Sequence, residues 1–209
     1  VQEAGAKFYM KKHLLEKASG DVVEKINEIC RRSIKRALDK KILSDIASDT
    51  NIISIDKHDA TSNFEASWIP TIIASFENAG VSIEPNDLVI FMSPEHYESL
   101  LSDISGSQAL AFARPDVIQK GIVTQFMGVT IRTVPKSILP TETVDGTEYY
   151  CCIALKRKGY VLAPKRNFLV EVKPEPENRR SLAVVTTAAA GTLVHSKYAA
   201  KIITPLATS

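Results

Sequence analysis

The stretch from Asp21 to Ser44 does most to narrow what this chain can fold into. Val22, Ile26, Ile29, Cys30, Ile34, Ala37 and Leu38 recur at three- and four-residue steps, the period of an α-helix with a single apolar stripe. Asp21 and Glu24 form a D-x-x-E variant of the capping box at its start. Asp21–Lys25, Glu28–Arg32 and Lys35–Asp39 are opposite charges four positions apart, each worth a few tenths of a kcal/mol on an exposed face. The spacing therefore predicts a helix of six or more turns, apolar on one side and heavily charged behind.

The rest of the chain reads as a mixed region followed by strands. Residues 1–20 are basic, lack a clear period and read as an arm or a short helix. Asp45 to Asn63 is polar, with a short apolar alternation at Ile52, Ile53 and Ile55. A second helix is expected over Glu65–Ala79, stopped by Gly80. Leu88–Met92 is a continuous apolar run, the mark of a buried strand. It leads into Ser93-Pro94-Glu95, a cap, a proline at the first helical position and an acid beside it. Ser102–Lys120 reads as loop. Gly121–Val134 holds two short strands with Gly128 at the bend. Tyr149–Leu155, Gly159–Ala163 and Phe168–Val172 are strand-like, and Lys173–Asn178 is a turn. Ser181–Ile203 fits two long strands interrupted by Gly191. Helix first, mixed next and mostly strand at the end, this order indicates an α+β fold. The long helix and the late strands would form a lobe with little core of its own, one that neighbouring subunits would stabilise.

Composition excludes several classes. The 26 Lys and Arg against 24 Asp and Glu give a net charge of +2, too balanced for a dedicated nucleic-acid binder or a polybasic membrane anchor. The uncharged stretch Leu182–Val194 near the C-terminus, rich in Thr and Ala, is 13 residues, whereas a spanning helix needs roughly 20. No signal peptide is read, and Val1 in place of a start Met fits N-terminal trimming. Cys30, Cys151 and Cys152 are too few for a disulfide framework, and neighbours in a strand point to opposite faces. Reduced, buried thiols are expected.

Motifs of chemistry are sparse. His13, His58, His96 and His195 share no metal-ligand spacing. Asp56-Lys57-His58-Asp59 is the one dense polar cluster; it reads as a solvated loop or as half of a metal site. Nucleophile elbow, phosphate-loop and zinc-protease signatures are missing. Glu65 and Glu77 near a helix have no partner to make an acid–base pair. The sharpest charge feature is Arg31-Arg32, Lys35-Arg36, Lys40-Lys41. It reads either as a solvated helix back with internal ion pairs or as a face for phosphates or a subunit. No aromatic residues interleave with it, so single-strand stacking is not indicated.

From about Asp21 onward the chain resembles the major capsid proteins of tailed DNA viruses, the Hong Kong 97-type fold. Four stretches in family order carry the resemblance. Gly121–Pro140 (GIVTQFMGVTIRTVPKSILP) has a short apolar strand, a Gly, an alternating strand and a proline-ended loop. Arg157–Arg166 with Phe168–Val172 is similar to the segment that re-enters the β lobe. Leu88–Met92 with Ser93–Tyr97, Leu100 and Leu101 is similar to a strand-to-helix unit, and Thr192–Ile203 with Tyr198-Ala199-Ala200 to the last strand. The resemblance implies an N-terminal arm over 1–20, a spine helix and start of a peripheral domain over 21–63, an axial domain over 64–163, and a peripheral β return with the final strand over 164–209. The family usually places a long extended hairpin before the spine helix; here 20 residues precede it.

The implied function is a non-enzymatic coat protein, without cofactor or metal. It would self-assemble through pentamers and hexamers into an icosahedral shell around double-stranded DNA held without sequence preference. Neighbouring capsid or decoration proteins are further implied partners. The expected location is the virion, with assembly in the host cytoplasm and no membrane contact. Glu28, Arg31, Arg32, Lys35, Arg36 and Lys40 are the expected subunit-interface residues. An encapsulin-like nanocompartment shell is the first alternative. A small metal-dependent α+β enzyme using Asp56, His58 and Asp59, and a basic-helix nucleic-acid module, are the others.

Overall fold

Two helix signals in the sequence are realised with their bonds in place. The computed structural model describes residues 2–11, 20–106, 125–175 and 180–208. Helix α1 spans Gly20–Ser48, α2 Trp68–Asn78 and α3 Pro94–Gly106. Helix α2 closes with the Gly80 N–H donating to the Glu77 carbonyl at 2.9 Å and the Val81 N–H to the Phe76 carbonyl at 2.9 Å. Those are the paired bonds of a Schellman stop, here with buried Phe76 and Val81 in one core cluster. Helix α3 starts as expected: Ser93 Oγ accepts from the His96 N–H at 3.3 Å, and the Ser93 carbonyl accepts from the Tyr97 N–H at 3.0 Å.

The strands are β1 (Gln2–Lys11), β2 (Ile53–Asp56), β3 (Leu88–Met92), β4 (Gln125–Phe126), β5 (Val129–Thr133), β6 (Thr141–Val144), β7 (Thr147–Lys156), β8 (Tyr160–Glu175), β9 (Arg180–Leu193) and β10 (Ala199–Ala207). They form two sheets. One has the order β1-β9-β8. The other runs β2-β10-β7-β3-β5-β4, with β6 paired to β7. Its β2–β10 and β3–β5 pairs are parallel and the remainder antiparallel. The mixed sheet with helices makes the α+β class plain.

By contacts the chain divides into two units, Val1–Lys41 with Leu162–Thr192, and Ile42–Val161 with Leu193–Ser209. The first holds most of α1 and the three-stranded sheet. The second holds the large sheet, α2 and α3. Its main core joins Phe64, Trp68, Ile69, Ile72 and Phe76 to Leu88, Ile90, Met92, Leu100, Cys152 and Ile202, all buried. A smaller cluster joins Leu43 and Ile46 to Ile52, Ile138, Leu139, Ile153 and Ala199.

Several expectations change. Helix α1 runs to Ser48 rather than Ser44, because Ile46, with no exposed surface, extends the apolar stripe into the second cluster. Helix α2 starts at Trp68 rather than Glu65, which leaves Pro70 in the first turn, where no helical N–H is needed. Helix α3 continues to Gly106 where a loop is expected from Ser102, held by buried Leu100 and Ile104. The remainder of that expected loop, 107–120, lies outside the described residues, as do Pro176–Asn178 of the expected turn. So does the side chain of Asp21, half of the expected capping box.

The expected arm contains strand β1, paired antiparallel with β9 from Gln2↔Ala189 to Lys11↔Arg180. A ladder to a partner so distant leaves no local period to read. The two expected strands around Ala163 and Phe168 are one continuous β8. Gly191 lies inside β9; the chain breaks instead at a 3-10 turn over Ser196–Tyr198, where His195 Nδ1 accepts from the Lys197 N–H at 3.1 Å. Strand β6 is unexpected, although Asp145 and Gly146 at its end have φ of 50° and 81°, the left-handed pair that a two-residue hairpin requires. The final strand, expected within 164–209 on the peripheral side, belongs to the larger unit. There β10 inserts between β2 and β7 and buries Ala200 and Ile202. That unit begins at Ile42 and ends its first pass at Val161, against the expected 64–163.

Candidate subunit-interface surface

Over residues 28–40, α1 buries a narrow stripe and exposes everything else. Cys30 and Ile34 are buried and Leu38 is half-buried, while Glu28, Ile29, Arg31, Arg32, Lys35, Arg36 and Lys40 are exposed. Residues three and four apart on a helix share a face. Arg32, Arg36 and Lys40 therefore form a row of cations about 12 Å long at 1.5 Å per residue. Glu28 and Arg32 pair at 2.5 Å with both side chains exposed, an interaction worth roughly 0.3–0.5 kcal/mol. Partial desolvation raises the pKa of Asp39 although the Lys35 ammonium acts to lower it. Ile29 sits among these charges with 62% of its surface exposed. Thus the six expected interface residues share one helix and face solvent.

The Asp56–Asp59 cluster is a turn after β2. His58 Nδ1 lies 2.7 Å from Asp56 Oδ1, and Nε2 lies 3.1 Å from Asp59 Oδ1. The ring packs on Tyr149 at 5.6 Å between centroids. The Asp56 hydrogen bond raises the His58 pKa, aided by the charges of Asp59 and Asp145. Burial pushes Asp56 up, but its two bonds from His58 outweigh that and hold it below the usual range. Both ring nitrogens thus face carboxylates as donors, the state of an imidazolium rather than of a metal ligand. Among the described residues no group of three or more His, Cys, Asp or Glu could hold a metal ion. The loop lines a surface hollow of about 460 Å³ with Asp56, Lys57, His58, Asp59 and Ala60.

A second histidine has the opposite surroundings. His96 is wholly buried, with Ser93 Oγ 2.6 Å from Nδ1 and Thr204 Oγ1 2.7 Å from Nε2. Thr204 Oγ1 donates its proton to the Tyr150 carbonyl at 2.7 Å. It must therefore accept from Nε2–H, which leaves Nδ1 to accept from the Ser93 hydroxyl. Burial lowers the His96 pKa to about 4. The Ser–His contact has the geometry of a nucleophile and its base, yet neither residue has exposed surface, so the pair caps α3 and ties it to β10. Sequence reading marked Ser93 as a cap but not this network, since Thr204 stands 108 positions from His96. The Cys151 and Cys152 thiols are likewise inert: burial raises Cys151 to about 12 and holds Cys152 well above the ordinary thiol range.

No family model and no curated protein matches the sequence. Solved structures do match its fold. The head structure of Helicobacter pylori bacteriophage KHP40 aligns with a TM-score of 0.69 at 11% identity, over 98% of this chain and 75% of that one. The capsid of cyanophage P-SCSP1u aligns at 0.67 and 10% identity, over 96% and 71%. The holo-SrpI encapsulin complex of Synechococcus elongatus PCC 7942 aligns at 0.65 and 9% identity, over 99% and 74%. The chain has the capsid fold that the resemblance implies.

Proposed function

We propose that this chain is a major capsid protein that self-assembles into a closed icosahedral shell around double-stranded DNA. The observation that carries the reading is the fold shared with a phage head and a phage capsid over nearly the whole chain. The role is structural rather than catalytic. Many weak polar contacts, each reversible, add up when a shell closes. A subunit with a net charge of +2 suits a container that touches DNA only through phosphates. In this reading α1 is the spine helix, and Glu28, Arg31, Arg32, Lys35, Arg36 and Lys40 register one subunit against the next. Pentamers and hexamers, decoration proteins and a place in the virion after assembly in the host cytoplasm follow from the same reading. Among the described residues, no helix is long and apolar enough to cross a membrane.

The encapsulin match, which covers 99% of the chain, favours one second reading, a nanocompartment enclosing a protein cargo. Negative-stain images of purified particles, with nuclease treatment and mass spectrometry of their contents, separate the two. Shells that protect DNA support the capsid. Shells that hold a foreign enzyme and no DNA support the compartment. A chain that forms no shells, rings or capsomers at high concentration refutes both.

A further inference from the structure

Positive charge on this chain is concentrated in one place. Residues 31–41 of α1 hold six Lys and Arg against one carboxylate, Asp39, and all of these side chains are exposed. The whole chain has a net charge of +2, so everything outside this stretch is net acidic. Arg36 and Lys40 have no hydrogen bond or ion pair among the described residues. Arg32 pairs with Glu28, but an exposed contact of this kind is weak enough to be exchanged for a stronger one. Arg32, Arg36 and Lys40 follow one another at steps of about 6 Å along the helix axis. Glu28, Arg31 and Lys35 lie on the adjoining flank, three and four positions apart, and remain available to register a neighbouring subunit. No aromatic residue stands between Glu28 and Lys41.

From this concentration we infer that the Arg32–Arg36–Lys40 row binds the phosphate backbone of duplex DNA, and that this face of α1 lines the lumen of the shell. The inference rests on the shell reading and assigns its DNA contact to named residues. A duplex carries one negative charge per about 1.7 Å of its axis, so a row about 12 Å long meets phosphates in any register. The two guanidinium forks each donate paired hydrogen bonds to a phosphate, and the Lys40 ammonium adds a point charge. Without an aromatic platform the row has nothing on which to stack an unpaired base. Contacts to phosphates alone hold DNA without sequence preference. The net acidic remainder of the chain repels DNA and confines the contact to this face.

Fluorescence anisotropy of a labelled random-sequence duplex with the full chain, titrated from about 0.05 to 0.2 M NaCl, tests this. For the wild type, log affinity should fall against log salt with a slope of about −3 or steeper. R32Q/R36Q/K40Q should flatten that slope by about 3 and weaken binding at the lowest salt at least about tenfold. R132Q/R157Q/K158Q removes the same amount of exposed positive charge elsewhere and should keep the wild-type slope. Circular dichroism checks the folding of both variants. Absence of duplex binding by the wild type, or equal losses in the two variants, overturns the assignment. Negative-stain images of the same samples read the shell separately. Shells without duplex binding overturn the row alone, and duplex binding by a chain that never forms shells overturns the shell reading alone.

Discussion

At the scale of single residues, two histidines are held in opposite states by their neighbours. His96 is locked neutral between a Ser93 hydroxyl that donates and a Thr204 hydroxyl that accepts. Above pH 6.5 it is neutral in folded and unfolded chains alike and has no effect on pH dependence. Below that, the unfolded chain takes up a proton that the native one refuses. Stability therefore falls as pH drops from 6.5, levelling near 4, by about 3 kcal/mol in all. The charges near it are Glu95, which opposes the shift, and Lys136, which adds to it. Urea unfolding from pH 7 to 4 should show this loss, and H96Q should remove it. T204V should cost about 1–3 kcal/mol at pH 7, since it strands a buried N–H and a buried carbonyl. An unchanged midpoint for T204V would contradict the network. His58 titrates the other way: the stability it contributes is present at low pH and lost as pH rises through its raised pKa.

At the scale of elements, α1 has two environments along its length. Its last turns bury Leu43 and Ile46 in a core cluster, while its middle exposes Ile29 among cations. Ile46→Ala should therefore destabilise the fold by about 2–4 kcal/mol through the cavity it leaves. Ile29→Ser should change stability by less than about 0.5 kcal/mol and yet weaken association. Chemical denaturation and sedimentation of the two variants check the contrast; equal effects on stability would contradict it. The helix was legible in advance because its period and charge pairs are local. Its extra turn past Ser44 was not, because only packing against Ile52, Ile138 and Ile153 makes Ile46 a core residue. Strand β3 and the start of α3 were read at their observed bounds, each from a few adjacent residues. The β6 hairpin was missed, although its Asp145-Gly146 turn was a usable signal.

At the scale of the whole molecule, the charges balance in sum while a single stretch of α1 concentrates exposed cations. A +2 chain presents a row of exposed cations along α1, a distribution that steers association without making the particle strongly charged. Screening should then govern assembly. Raising NaCl from about 0.05 to 0.5 M shortens the Debye length to about 4 Å and should slow assembly about tenfold or more. Light scattering measures the rate. A salt-insensitive rate would point instead to exposed aliphatics such as Val161, Leu162 and Val194 as the dominant contacts.

The sequence by itself determined the features whose cause lies within one or two turns of chain: the long charged helix, the buried Leu88–Met92 strand, the Ser93-Pro94 helix start and the Gly80 stop. Their signals are side-chain periods and caps, which neighbours in sequence express together. Only the tertiary structure decided that β1 belongs to β9, that β10 lies between β2 and β7, that Thr204 fixes the proton of His96, and that His58 of the 56–59 loop packs on Tyr149 of β7. Ladder hydrogen bonds join backbone groups that every residue type carries, so a strand's distant partner leaves little mark on its own residues.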